Sequence, residues 1–126
     1  MTIDLRWIDE EHSGFIFEYL GTWTWNELYQ ASQTAVAWGT GRQNVPSIHD
    51  LSQSHTFPED ALFHGRHLSF GLPDNPIMVI VGANPFVLAM IDLLRRLSRS
   101  IERQYFTAAS VDEAIALIKN EQASVK

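Results

Sequence analysis

Residues 49–55 carry side chains that could perform acid–base or nucleophilic chemistry. His49, Asp50 and Ser52 lie within four consecutive positions, and His55 follows them. A histidine, a carboxylate and a hydroxyl are the groups of a hydrolase triad, so a small hydrolase is one hypothesis for function. The sequence contains no Gly-x-Ser-x-Gly elbow and no phosphate-binding glycine loop. We therefore rank catalysis below a binding role and predict that the chain is not an enzyme.

Histidines could also bind a metal ion. His64 and His67 are three positions apart on a predicted helix and therefore share one face. A zinc site needs about three or four converging ligands, and the spacing identifies no third ligand. The chain has no cysteine, which excludes disulfides and thiolate ligands. We predict that the chain folds without a metal ion and uses no cofactor.

A second group of polar and aromatic residues follows the predicted strands. Open α/β sheets bind ligands beyond the carboxyl ends of their strands, so a binding site is expected there. The predicted ligand or partner site consists of Thr22, Trp23, Asp50, Ser52, Thr56 and Asn84. Serine and threonine at such positions also cap helices, and rings such as those of Trp23 and Trp25 also pack in cores. Both roles stay open at this point.

The fold class follows from residues 76–85. Residues 77–81 are apolar without alternation and rich in β-branched side chains, which is typical of a strand buried on both faces. Gly82 and Asn84 end this strand, and Pro85 suits the first turn of a helix. A buried strand, a tight turn and a helix form the repeating unit of an α/β sheet.

The predicted element order is β-β-α-β-α-β-α-β-α. Strands are expected at residues 3–8, 15–20, 45–51, 77–81 and 104–108, and helices at residues 25–38, 57–68, 86–103 and 111–119. Thr24, Thr56 and Ser110 each stand three residues before a glutamate, as a capping residue does. Right-handed crossovers would make the last four strands parallel, with helices on the faces of the sheet. The prediction is one α/β domain over residues 1–126, with a polar tail that frays from about residue 120.

Composition limits the classes of function. The 126 residues carry a net charge of -6, which disfavours binding to nucleic acid through phosphate neutralisation. No apolar run approaches the ~20 residues that span a bilayer, and the acidic N-terminal segment does not read as a signal peptide. We expect no nucleic-acid partner, no transmembrane segment and a cytoplasmic location.

The order of motifs resembles a known family. The segment Asp50-Leu51-Ser52, followed by a loop, a helix and the run of residues 79–85, resembles the bacterial anti-sigma-factor antagonists, the STAS domains. In that family an acidic-Leu-Ser strand end precedes a loop with a phosphorylatable serine or threonine. The resemblance covers roughly residues 15–118 and implies a STAS-like α/β fold. It further implies a regulatory or scaffolding module that binds a protein partner.

The loop at residues 53–58 departs from the family pattern. Thr56 stands roughly where the phosphoacceptor would, but the neighbouring aspartate and glycine of an Asp-Ser-Ser-Gly-like switch are absent. We predict that the usual phosphoswitch motif is lacking and that Thr56 caps a helix. The related Sec14-like fold gives the alternative function, a carrier with a lipid or small-ligand pocket between the aromatic helix and the sheet.

The helix expected at residues 86–103 is predicted to carry an association surface. Its apolar residues cover more of the circumference than one ~100° stripe, and interfaces favour apolar residues and arginine. The predicted interface consists of Met90, Leu94, Arg96 and Arg99, and it would bind a protein partner or a second copy of the chain. A solvated arginine face and a contact with anionic lipid are the alternatives.

Overall fold

The computed structural model describes residues 2–41, 45–56, 58–59, 77–97 and 106–124. Five strands form one sheet: β1 (Ile3–Trp7), β2 (Phe15–Leu20), β3 (Ser47–Gln53), β4 (Met78–Val81) and β5 (Phe106–Ala108). Three helices are described: α1 (Trp25–Trp38), α2 (Pro85–Leu97) and α3 (Val111–Ser124). The helix predicted at residues 57–68 and most of the segment that joins β3 to β4 lie outside the described residues. The observed order of the described elements is the predicted one.

The strands lie side by side in sequence order. β1 pairs antiparallel with β2, whereas β2, β3, β4 and β5 pair in parallel. The hairpin between β1 and β2 brings the two strands together through a short turn, and each later strand returns by a crossover connection. The predicted single α/β domain with a mostly parallel sheet is therefore confirmed for the described residues.

The core consists of two clusters, one on each face of the sheet. The alternation of β2 divides its residues, with Phe15, Phe17 and Tyr19 in one cluster and Ile16 in the other. The first cluster contains residues from α1 and α2, and the second contains Ala114 and Ile118 of α3. α1 and α2 thus cover one face of the sheet, and α3 covers the other.

β4 contributes to both clusters. Val79 and Val81 belong to the cluster under α3, and Ile80 belongs to the cluster under α1 and α2. All three are buried. The non-alternating apolar run therefore has the physical cause inferred from the sequence, which is burial on both faces.

Helix caps form close to where the sequence predicted them. The Glu27 amide donates to the Thr24 hydroxyl over 3.2 Å, and the Glu113 amide donates to the Ser110 hydroxyl over 3.1 Å. In a capping box the glutamate side chain also accepts from the amide of the capping residue, but these two glutamates bond to other groups. Glu27 accepts from the amide and hydroxyl of Thr2 and from the Thr24 hydroxyl, and Glu113 accepts from the Ala109 amide. Hydrogen bonds from Thr2 lower the pKa of Glu27 below its ordinary value.

Several boundaries differ from the sequence predictions, by one residue at β1, β4 and the start of α2 and by more at β3 and α3. β3 begins at Ser47, after Pro46, which has no amide to donate. It continues to Gln53 because Leu20 pairs with Gln53 across a register shift, so Ser52 lies in the strand. α3 continues past residue 120 to Ser124.

None of the helices within the described residues has the length and apolar content required to cross a bilayer.

Gly82 follows β4 at a point where the backbone of β3 lies very close. Its φ is +67°, and an added Cβ would lie 2.7 Å from the Ser52 Cβ. Gly21 has a similar φ of +64° with no atom within 4 Å of its added Cβ. Gly21→Ala should therefore cost only the backbone penalty of about 1–2 kcal/mol, and Gly82→Ala should cost at least about 1 kcal/mol more. Urea unfolding of both variants measures the difference, and equal losses would contradict the close contact.

Candidate functional site

The predicted site residues lie at the carboxyl ends of β2, β3 and β4, where Asn84 joins two segments. The Asn84 carboxamide oxygen accepts from the Val87 amide over 2.9 Å and so caps α2. Its carboxamide nitrogen donates to the His55 carbonyl over 3.1 Å. The turn after β2 reaches the same edge, because the Gly21 amide donates to the Gln53 carbonyl over 2.9 Å. Asn84 is thus a cap and a connection between β3 and α2, and Thr22 is exposed next to Gly21.

Asp50 and Ser52 form a closed local pair. The Asp50 carboxylate accepts from the Ser52 hydroxyl over 2.6 Å and from the Ser52 amide over 3.1 Å. Asp50 is buried, whereas Ser52 is exposed. Such a bond of an aspartate to the backbone two residues later stabilises a strand end without any ligand.

Trp23, one of the predicted site residues, lies in the core. Only 3% of its surface is exposed. Its ring makes edge contacts with Tyr19 and Trp25, with centroids 5.2 Å and 5.1 Å away. Such perpendicular pairs are a favoured aromatic packing geometry in cores. The aromatic residues proposed to line a ligand pocket therefore fill the space between α1 and the sheet, as far as the described residues show.

His49 forms a polar network that the sequence did not reveal. Its Nδ1 lies 2.8 Å from the Tyr19 hydroxyl, and its Nε2 lies 3.1 Å from the Ser47 hydroxyl. The Phe17 ring stacks on the imidazole at a centroid distance of 4.7 Å. Burial lowers the pKa of His49 to about 4 and raises the pKa of Tyr19. His49 is therefore neutral near pH 7, with both ring nitrogens hydrogen-bonded.

The three residues of the hydrolase hypothesis do not assemble into a triad. Successive residues of a strand point to opposite faces, so His49 and Asp50 diverge. His49 bonds to Tyr19 and Ser47, while Asp50 bonds to Ser52. The geometry therefore does not support the hydrolase hypothesis.

In the part of the chain that is described, the remaining histidines and Thr56 do not come together in a metal site or a catalytic site. No group of three His, Asp or Glu side chains there could hold a metal ion, while His64 and His67 lie outside it. Thr56 is exposed, and the helix that it was predicted to cap also lies outside the described residues. Its capping role stays a prediction.

Of the four residues of the predicted interface, only Met90 has a described side chain. Met90 is partly buried and packs against the core cluster that contains Val87, so it does not form the outer face. Phe86 and Leu93 are 56% and 41% exposed. Pro85 and Ala89 are also exposed. We call these four residues the α2 apolar surface. The side chains of Leu94 and Arg96 and the whole of Arg99 lie outside the described residues.

Comparison with known proteins identifies the fold but no sequence relative. No protein-family model matches the chain, and no curated protein matches its sequence. A glutamate-for-serine variant of RsbS from Moorella thermoacetica, a STAS-domain protein, has a similar structure with a TM-score of 0.61 and 17% sequence identity. The superposition covers 98% of this chain and 99% of that one. At this identity the likeness establishes a STAS fold, as the motif order had implied.

Protonation of His49 should destabilise the fold. The pKa falls from 6.5 to about 4 on folding, so the unfolded chain binds more protons between these values. The stabilisation is complete above pH 6.5 and is lost as the pH falls toward 4, by up to about 3 kcal/mol. Urea unfolding of the wild type and of His49→Gln at pH 7.5, 6, 5 and 4.5 isolates this contribution from the carboxylates. A constant difference between the two proteins across this range would contradict the prediction.

Loss of the Asn84 side chain should cost more than loss of an ordinary cap. Asn84→Ala removes the cap of α2 and the bond to the His55 carbonyl, whereas Ser110→Ala removes a side-chain cap alone. We expect a loss of about 1 kcal/mol for Ser110→Ala and about 2 kcal/mol for Asn84→Ala. Chemical denaturation at pH 7.5 measures both losses. Equal losses would show that the contact with His55 contributes nothing.

Proposed function

We propose that this protein is a non-catalytic regulatory or scaffolding module that docks a protein partner on the α2 apolar surface. The observation that supports this most directly is the exposure of Phe86 and Leu93 on one helix face. The likeness in fold to a STAS-domain protein agrees with a module that acts by protein contact. A cytoplasmic setting, expected from the sequence, belongs to the same proposal.

The geometry of α2 favours docking. At about 100° per residue, Pro85, Phe86, Ala89 and Leu93 fall within about 100° of the helix circumference. Val87, on the other side, is fully buried, and Ile91 packs against the same core. α2 therefore has two apolar stripes. One packs against the core, and the other is exposed.

The chemistry of the surface indicates the kind of partner. No charged residue occurs between positions 85 and 91, and the first charge along the helix is Asp92. Scattered exposed apolar residues are normal on proteins, but a continuous stripe with an aromatic residue is typical of an interface. The matching partner has an apolar groove that receives Phe86, with polar groups around it.

A binding role also fits the polar residues at the sheet edge. Asp50, Ser52 and Asn84 use their hydrogen bonds within the fold, and His49 is neutral and held in the core network. Catalytic groups would need free donors or acceptors directed toward a substrate. The alternative of a lipid or ligand carrier has less support, because Trp23 and Trp25 pack against each other and into the core.

A charge on the α2 apolar surface should weaken docking without unfolding the domain. Phe86→Asp and Leu93→Asp place a charge in the proposed contact. Val36→Asp places one at an apolar position of α1 that is 42% exposed, close to the 41% of Leu93. A partner isolated from the protein's own cells by photo-crosslinking at position 86 would be purified for titration. We expect Kd to rise at least about tenfold for Phe86→Asp and Leu93→Asp, and less than about twofold for Val36→Asp.

Two results would contradict this function. One is a partner affinity that all three variants reduce alike, because the contact would then not lie on α2. The other is saturable binding of phosphatidylcholine vesicles that Phe86→Asp abolishes while no protein crosslinks at position 86. That result would favour the lipid carrier. Circular dichroism and the urea midpoint of each variant verify that the fold is retained.

A further inference from the structure

A groove of about 530 Å³ lies between α3 and the turn that joins β1 to β2. We call it the α3 groove. Its apolar lining consists of Ile8, Ile115 and Ile118. Ile118 is buried in the core cluster under α3, and Ile8 and Ile115 are partly buried and pack against that cluster. The groove therefore exposes an apolar floor that is continuous with the core.

Charged side chains surround this apolar floor. Asp9, Glu10 and Glu11 line the groove from the turn, and Lys119 lines it from α3. All four residues are exposed. Neither glutamate side chain forms an ion pair or a hydrogen bond with a described residue. Among the described lining residues, three carboxylates thus stand against one ammonium group, and the groove carries a net negative charge.

The turn that carries the carboxylates is held in place by its own contacts. The Asp9 carboxylate accepts from the Ser13 hydroxyl over 2.6 Å and from the Ser13 amide over 3.1 Å. The His12 amide donates to the Asp9 carbonyl over 3.2 Å. His12 has a φ of +58°, and its ring stacks on that of Trp7 at a centroid distance of 4.2 Å. Because the turn is ordered in advance, a ligand of the carboxylates pays little to order it.

We propose that the α3 groove docks a segment of a protein partner in which lysine or arginine side chains flank an aliphatic residue. The aliphatic side chain covers Ile8 and Ile115, and the basic side chains approach Glu10 and Glu11. An apolar centre with a charged rim is the usual arrangement of a protein interface. This surface is separate from the α2 apolar surface, because α3 covers the opposite face of the sheet.

The charge and the apolar floor together favour this occupant over others. Nucleic acids and anionic lipid headgroups carry the same sign of charge as the groove and are repelled by it. No group of three His, Asp or Glu side chains in the described part of the chain could hold a metal ion. A polyamine would meet the carboxylates but leave the isoleucines exposed to water. A basic protein segment with an aliphatic residue matches both features.

Two synthetic peptides test the chemistry of the occupant on the 126-residue chain. One fluorescein-labelled nonapeptide repeats Leu-Lys-Lys three times, and the control peptide of equal charge repeats Ser-Lys-Lys. We expect fluorescence anisotropy to show saturable binding of the leucine peptide with a Kd below about 100 μM in about 50 mM NaCl. The serine peptide should bind at least about fivefold more weakly, because it cannot cover the apolar floor.

Charge variants on the two walls of the groove should act in opposite directions. Glu10→Lys and Glu11→Lys should each raise the Kd of the leucine peptide at least about fivefold, whereas Lys119→Glu should lower it at least about threefold. Glu59→Lys makes the same change of charge at an exposed residue that does not line the groove, and it should change Kd less than about twofold. Circular dichroism and the urea midpoint verify that each variant is folded.

Amide chemical shifts locate the bound peptide independently of these variants. Titration of the ¹⁵N-labelled chain should shift the amides of residues 8–13 and 115–122 and leave those of residues 86–93 in place, which separates this contact from docking on α2. Four results would overturn the proposal: no saturable binding up to about 1 mM peptide, equal affinity for the two peptides, equal effects of Glu10→Lys and Glu59→Lys, or shifts confined to α2.

Discussion

Burial of β4 on both faces is the constraint on which the rest of the structure depends. A strand without a polar face needs hydrogen-bonding neighbours on each side and helices above and below it. β3 and β5 supply the hydrogen bonds, and the two core clusters supply the cover. α1 and α2 must then share one face of the sheet, with α3 on the other. This division places α2, and with it the α2 apolar surface, on the same side of the sheet as α1.

The same constraint explains why the polar residues at the strand ends serve the fold. Helices that begin at the carboxyl edge of a tightly packed sheet expose backbone amides there, and these amides need partners. Asn84 and Ser110 provide caps, while Asp50 secures the backbone at Ser52. The positive φ of Gly82 lets the chain turn after β4 while the Gly82 backbone stays close to Ser52. Three of the predicted site residues, Asp50, Ser52 and Asn84, therefore form hydrogen bonds that stabilise the fold locally.

Local patterns in the sequence predicted the described elements. The predictions failed mainly where contacts between residues distant in the sequence determine the structure. The caps at Thr24 and Ser110 depend on neighbours within a few residues, and both were predicted. The end of β3 depends on pairing with Leu20, and the His49 network depends on Tyr19, thirty residues earlier. The exposure of Phe86 in place of Met90 depends on how α2 rotates against the core. No local sequence pattern determines this rotation of α2.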